Sequence, residues 1–337
     1  MAARIHDNRA LARESWLQDV LPEGYESQPL AGDASFRCYF RVCSGGQRFG
    51  LMDAPPPHED VRPFLAVRDW FEEAGLRVSQ LIAKDIGQGF LLLEDFGDIT
   101  WASYRALGEN AGLLFEDALR QLQLLQASTP DFELPSFDIS RMSRECALYL
   151  DWYLPEVAAL ELSDADRKGF HDSLADILSA LAELPRVPVH LDYHSRNLML
   201  PDASLPLGQI DYQDAVIGPV TYDLASLLYD CYQDYPESER RFWSRCSYDE
   251  LPHDLSSSFD DFEDWHQKLR LTALQRHIKA IGIFSRLAYR DGKRQFLNEI
   301  PLTRKHLIEE MEVLGMSRSD FPLLYIEPAE MEKKNSG

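Results

Sequence analysis

The chain has 337 residues, 45% of them hydrophobic and 27% charged, and its 56 acidic against 34 basic residues give a net charge of −22. A surface that negative repels nucleic-acid phosphates and anionic membrane faces, so neither is an expected partner. The length exceeds one small core and suits two lobes. The five cysteines form no CxxC pair or Cys/His cluster, which argues against a disulfide framework or a zinc site. With no signal-type apolar stretch at the N-terminus and no window of about 20 residues apolar enough to cross a bilayer, a soluble cytoplasmic protein is expected.

Residues 7–21 read as an amphipathic helix with Leu11, Trp16, Leu17 and Val20 on one side. Ser35–Cys43 alternates, turns at Ser44-Gly45-Gly46 and returns as Gln47–Met52, the pattern of a β-hairpin. After Pro55-Pro56-Pro57, residues 59–74 form a helix ended by Gly75, and strands follow around Gln80–Asp85 and Phe90–Glu94. Helical spacing then dominates, through Leu114, Ala118, Leu122 and Leu125 and over roughly 140–159, 163–183, 221–234 and 264–288. Strand signals recur only at 187–190, 197–200 and 207–211. The expected fold class is α+β: residues 1–95 as a small β-rich lobe, 96–328 as a larger helical lobe, and 329–337 as a frayed tail.

The chemistry concentrates in His190–Asp214, HLDYHSRNLMLPDASLPLGQIDYQD. If Met199 pairs with Gln209 across a short hairpin, Asn197 falls opposite Asp211 at its open end, with Asp192 on the loop before it. Two carboxylates and an amide oxygen at one mouth are hard donors suited to Mg²⁺ beside phosphate oxygens. Phosphoryl transfer needs such a metal site and one further carboxylate to orient the attacking hydroxyl and take its proton. Asn197 and Asp211 are assigned to metal and Asp192 to the hydroxyl.

The spacing H-x-D-x-H-x-x-N (His190, Asp192, His194, Asn197), followed by Ile210-Asp211, resembles the catalytic loop and metal-binding aspartate of aminoglycoside phosphotransferases and choline kinase-like relatives. That resemblance implies a two-lobed, protein-kinase-like fold and a reaction using ATP and Mg²⁺. Tyr222-Asp223-Leu224-Ala225 resembles the helix start whose aspartate braces the loop. Leu91–Gly97 is similar to the inter-lobe hinge, with backbone of about Glu94 to Phe96 on the adenine, and Gly32, Asp33, Ala34, Ser35, Phe36 and Arg37 to the loop covering the phosphates. More narrowly, AGDASF, LMDAPPP, DYHSRNLM and IDYQDAVIGPVTYDLASLLYDCY resemble the bacterial anomeric kinases of N-acetylated amino sugars. This implies a sugar 1-kinase acting on the C1 hydroxyl of N-acetylmuramate and N-acetylglucosamine in cell-wall recycling.

Two positions depart from the pattern. Phe49-Gly50-Leu51-Met52-Asp53 lacks the strand lysine that holds the α/β-phosphates; Arg37, Arg41 or Arg48 could substitute, with Arg37 favoured. Leu191 stands where relatives often have glycine or arginine. His190 reads as a structural histidine, while His194 either braces the loop or lines the substrate side. Asp214, Trp152 and Tyr153 are candidate substrate contacts, although the cluster of Tyr149, Trp152 and Tyr153 also fits a core. Arg276, His277, Lys279, Arg286 and Arg290 read as solvated surface, with one of them available to a substrate carboxylate. A kinase for an aminoglycoside or choline-like acceptor, or a nucleotide-binding pseudokinase, are the competing functions.

Overall fold

The computed structural model describes residues 2–21, 23–30, 36–56, 58–106 and 111–329. In chain order the elements begin α1 (Ala2–Val20), β1 (Glu26–Pro29), β2 (Cys38–Ser44), β3 (Gln47–Asp53), α2 (Val61–Glu73), β4 (Leu81–Asp85) and β5 (Phe90–Glu94). Then come α3 (Trp101–Ala106), α4 (Gly112–Ala127), α5 (Ile139–Leu148), α6 (Asp164–Ala182), β6 (Arg186–Val189), β7 (Leu198–Met199), β8 (Gly208–Gln209) and β9 (Val216–Pro219). The chain closes with α7 (Tyr222–Leu228), α8 (Glu237–Asp249), α9 (His253–Ser256), α10 (Phe262–Tyr289) and α11 (Ile300–Val313). Contacts group these into two compact units, Met1–Leu124 with Asn197–Asp214, and Leu125–Arg196 with Ala215–Gly337.

The first unit is built on an antiparallel sheet in the order β1-β2-β3-β5-β4. Its β2–β3 hairpin has the expected turn: Gly45 and Gly46 both take positive φ (57° and 79°), the left-handed pair that a two-residue turn between twisted strands demands. Val42, Phe49, Leu51, Phe90 and Leu92 face one way and pack with Trp16 and Leu17 of α1. Alternation sends Tyr39, Arg41, Gly50 and Met52 to the opposite face. At the end of β3, buried Asp53 receives Arg9 at 2.7 Å and Arg13 at 3.0 Å, so it anchors α1 to the sheet. The edge strand β1 is exposed throughout and ends in Pro29, which leaves no alternation to announce it.

The second unit is organised around α10, 28 residues long, against which α5, α7, α8 and α11 pack. The expected helix over 140–159 divides at Tyr149 into α5 and a wide π-type segment, Tyr149–Val157, containing Pro155. The expected helix over 221–234 stops at Leu228, where Tyr229 leaves helical geometry (φ −112°, ψ 49°). Strand β9, unannounced in the sequence, pairs antiparallel with β6. Helix α8 is polar along most of its length, burying only Arg240, Trp243 and Ser244, and so carries little apolar periodicity.

At Gly282 of α10 the two backbones nearly touch: a methyl group there would lie 2.5 Å from the Leu148 carbonyl carbon and 2.6 Å from the Tyr149 nitrogen. Backbone cannot move aside as a side-chain tip can. Gly282→Ala is therefore expected to destabilise the protein by about 1–3 kcal/mol, read as a lowered Tm, despite the better helix propensity of alanine.

Candidate active site

Within the first unit, the sheet face carrying Tyr39, Arg41, Gly50 and Met52 roofs a cavity of about 400 Å³. Its rim includes Leu93 to Asp98, and its other walls come from Asn197, Met199, Ile210, Asp211 and Tyr212. Glu94 of the expected hinge lines the cavity while its carboxylate is held by a two-pronged contact from Arg77, 2.8 Å on one prong, and by the Gln80 N–H at 3.2 Å. Burial pushes that carboxyl upward, but the Arg77 and Gln80 bonds outweigh it and leave its pKa lowered. Phe96 lies buried under the Arg77 guanidinium, 4.7 Å from ring centre. Its ring also crosses Gly208, where a methyl group would meet ring carbons at 2.4–2.9 Å, so only glycine lets the hinge aromatic lie on β8.

Of the described cavity-lining residues, Arg41 is the cation. It is gripped by Asp95 at 2.5 and 3.1 Å and by Asp98 at 2.9 Å, bonds that hold its pKa further up. These partners tie it to the segment that follows β5. Arg37 lies four residues, or about 13 Å of extended chain, further along. Its Nε donates to Glu59 at 3.3 Å, just before α2, while the Phe36 N–H reaches the other Glu59 oxygen at 3.2 Å. Exposed Phe36 stacks on His58. Gly32, Asp33, Ala34 and Ser35 lie outside the described residues.

The short hairpin departs from the expected register by one residue. Leu198 pairs with Gln209 and Met199 with Gly208, so Asn197 opposes Ile210, whose N–H donates to its carbonyl at 3.1 Å. Two-residue strands carry too little alternation to fix a register, and polar anchors fix it instead. The Gln209 N–H donates to Arg77 O (2.8 Å), its side-chain amide to Gln121 (2.8 Å), and the Leu207 N–H to Asp117 (2.8 Å). Asp211 nonetheless lines the same cavity as Asn197, because its backbone leaves the strand in the left-handed region (φ 63°). Its Oδ1 accepts from Gln213 at 2.7 Å. An amide oxygen and an exposed carboxylate on one cavity wall form a donor set that fits a hard divalent cation. Among the described residues no group of three or more His, Cys, Asp or Glu is placed to hold a metal.

In the second unit, two buried carboxylates hold the loop carrying Asp192. Asp223 accepts the His190 N–H at 2.7 Å on one oxygen and the Leu191 N–H at 3.0 Å on the other. Asp230, which sequence reasoning did not single out, accepts the Ser195 N–H at 2.9 Å and the Tyr232 N–H at 2.7 Å. No local pattern announces it, because its role rests on a contact 35 residues away in sequence. Burial pushes Asp223 up to about 7 and Asp230 above the usual carboxylate range, against the pull of these bonds. Between the two anchors Leu191 is held at φ 82° with its side chain buried, a conformation that glycine adopts freely and leucine does not. The Asp192 N–H meets His190 Nδ1 at 3.3 Å, placing the proton of a neutral His190 on Nε2.

Asp192 is half-buried, and burial pushes its carboxyl upward. Lys279, His194, Arg276 and His190 outweigh that effect and leave its pKa lowered. Burial pushes His194 down to about 4, so at neutral pH the positive charge near Asp192 comes from Lys279 and Arg276. Both are buried on α10, which corrects the reading of them as solvated surface; buried His277 bonds Tyr229 O, while Arg290 is exposed and pairs with Asp291. Of the candidate substrate contacts, Tyr153 is fully buried against Tyr149 with its hydroxyl donating to Ile326 O at 3.0 Å, a core residue. Trp152 is half-buried; Asp214 is exposed and accepts from Gln213 at 3.3 Å.

The His194 shift carries a signed consequence. Unfolded, its pKa is near 6.5; folded, it is about 4, so the unfolded chain binds the extra proton first. Stability contributed by neutral His194 is therefore complete above about 6.5 and declines as pH falls toward 4. His194→Gln should flatten that part of a Tm-against-pH curve relative to the wild type.

Residues 26–251 match the phosphotransferase enzyme family. A Pseudomonas aeruginosa protein named N-acetylmuramate/N-acetylglucosamine kinase is 38% identical over 319 residues, covering 89% of this chain and 91% of that one. A Neisseria meningitidis protein of the same name is 36% identical over 304 residues, covering 87% and 88%. Among solved structures, ADP-bound aminoglycoside phosphotransferase APH(2'')-Ib is similar with a TM-score of 0.60 at 16% identity, over 91% of this chain and 98% of that one. At that identity the likeness bears on the fold alone, and it agrees with the kinase-like α+β class. By its family match and these relatives, the chain belongs to the phosphotransferase enzyme family.

Proposed function

We propose that this protein is a kinase transferring the γ-phosphoryl group of ATP to the anomeric C1 hydroxyl of N-acetylmuramate and N-acetylglucosamine, in the cytoplasmic recycling of cell-wall sugars. The acceptor class is supported by the relatives that bear those names at 36–38% identity over nearly the whole of both chains. The chemistry is supported above all by Asp192, an ionised carboxylate on a loop whose backbone is fixed from both ends.

In this reading residues 1–95 form the nucleotide lobe, with the hinge around Glu94 and Phe96 holding the adenine. The segment from Gly32 to Arg37 covers the phosphates. Asn197 and Asp211 would hold Mg²⁺, which when bound supplies charge neutralisation at the β/γ-phosphates. Arg37 paired with Glu59 replaces the strand lysine and its helix glutamate, whereas Arg41, another of the candidates, is committed to Asp95 and Asp98. Asp192 accepts a hydrogen bond from the sugar hydroxyl and aims its oxygen at the γ-phosphorus. As the new O–P bond forms and the bond to ADP breaks, the hydroxyl proton passes to Asp192. His194, neutral and beside Asp192, is retained as a substrate-side contact together with Asp214 and Trp152.

The reaction is read by ³¹P NMR with ATP and Mg²⁺, offering N-acetylmuramate, N-acetylglucosamine, kanamycin or choline in parallel. A sugar 1-phosphate resonance is expected from the first two, and Asp192→Asn should slow its appearance about 10²- to 10⁴-fold. Transfer to kanamycin or choline alone would overturn the acceptor, and ATP binding without transfer to any acceptor would overturn the kinase reading. Arg37→Ala should raise the KM for ATP while leaving the KM for sugar nearly unchanged.

A further inference from the structure

Arg276 and Lys279 stand one helical turn apart on α10, and their surroundings differ. Lys279 is satisfied: its ammonium lies 3.3 Å from Glu145 and 3.3 Å from the Tyr222 hydroxyl. Arg276 is only 7% exposed, and its buried Nε has no hydrogen-bond partner. Its guanidinium lies 5.2 Å from the Tyr222 ring centre. Asp192 and Asp223 act on it through charge at a distance, without hydrogen bonds, and both Asp223 oxygens are taken by the His190 and Leu191 N–H groups.

A guanidinium this far removed from water, with its buried Nε unbonded and no anion beside it, is in a costly state that a ligand oxyanion relieves. Arg276 belongs to the same unit as Asp192, the group assigned to the acceptor hydroxyl, whereas the donors assigned to the phosphates (Asn197, Asp211 and Arg37) belong to the other unit. The anion that best completes Arg276 is therefore part of the acceptor. A planar guanidinium fork matches a carboxylate in shape and charge. The two acceptors proposed above differ by one such group, the lactyl carboxylate that N-acetylmuramate carries and N-acetylglucosamine lacks.

Resting on that reading, we infer that Arg276 is the receptor for the acceptor's carboxylate and sets the preference for the acidic over the neutral sugar. Arg276 is thus a specificity residue; because its charge also lowers the Asp192 pKa, recognition of the carboxylate is read from the ratio between the two sugars and not from a loss common to both.

The test compares steady-state kcat/KM for N-acetylmuramate, its methyl ester and N-acetylglucosamine in the wild type, Arg276→Met and Arg276→Lys. In the wild type, esterification should cost about 10- to 100-fold, mostly in KM, as expected for loss of a charge-assisted hydrogen bond. In Arg276→Met the ratio of muramate to glucosamine efficiency should fall by a similar factor, and acid and ester should become equivalent. Arg276→Lys, which keeps the charge but loses the fork, should fall between. The ester comparison in the unaltered protein does not depend on how the variants fold. Equal efficiency on acid and ester in the wild type, or equal losses on both sugars in Arg276→Met, would overturn this assignment and leave the kinase reading intact. A wild type that phosphorylates neither sugar removes both.

Discussion

Everything near Asp192 depends on two carboxylates that the fold has buried and then spent on backbone N–H groups. Asp223 takes the N–H groups of His190 and Leu191, and Asp230 takes those of Ser195 and Tyr232. Removing a carboxylate from water is expensive, and both respond as burial dictates, with their pKa values raised. The return is geometric. With both ends of a six-residue loop pinned from α7 and its exit, Leu191 stays in a left-handed conformation that costs a non-glycine residue about 1–2 kcal/mol. Helix α7 ends at Leu228, and Asp230 meets the Ser195 N–H from the turn that follows it.

Charge distribution matters more locally than in sum. A chain of net charge −22 still places two buried cations, Arg276 and Lys279, on the helix facing its principal carboxylate. Together with His194 and His190 they outweigh the burial of Asp192 and leave its pKa lowered, whereas Asp223, which accepts two backbone N–H bonds, is pushed the other way. Elsewhere the arginines mostly do architectural work. Arg9 and Arg13 fasten α1 to Asp53, Arg77 fixes Glu94 at the end of β5, and Arg41 ties the sheet to Asp95 and Asp98. The position expected for a strand lysine is thus flanked by committed charges: Met52 faces the cavity, and Asp53 faces α1.

What could be read from the sequence was whatever rests on local pattern. The β2–β3 hairpin follows from alternation around Gly45-Gly46, α2 from its apolar spacing and Gly75, and the loop motif from fixed intervals between His190 and Asn197. What depended on long-range polar contacts was not legible. The register of β7–β8 is set by Arg77, Gln121 and Asp117, each at least 88 residues in sequence from the residue it bonds, and it came out one residue from expectation. The end of α7, the role of Asp230, and the burial of Arg276 and Lys279 are of the same kind. An amphipathic reading of α10 assigns charged residues to solvent, and nothing in local spacing reveals that its charged side faces the loop rather than water. Tyr153, buried as core, stood between two readings, because an aromatic cluster has the same composition whether it forms core or a sugar platform.

The lowered pKa of Asp192 bears on what kind of catalyst it can be. A strong general base would have its pKa raised toward the working pH, as Asp223 has. Asp192 is held the other way, which makes it a weak base but an ionised, oriented acceptor over the whole physiological range. In a loose phosphoryl-transfer transition state the attacking oxygen bonds late and gives up its proton late, so little is gained from early proton removal. Aim is what such a reaction needs, and a carboxylate fixed by a doubly braced loop supplies it. An anomeric hydroxyl is also more acidic than an ordinary sugar hydroxyl, which reduces the demand on base strength further. The depressed pKa, the braced loop and the proposed acceptor are then consistent with one another: in the proposed reaction the loop would hold the oxygen in line, and the acidity of the acceptor would do part of the work that a stronger base would otherwise do.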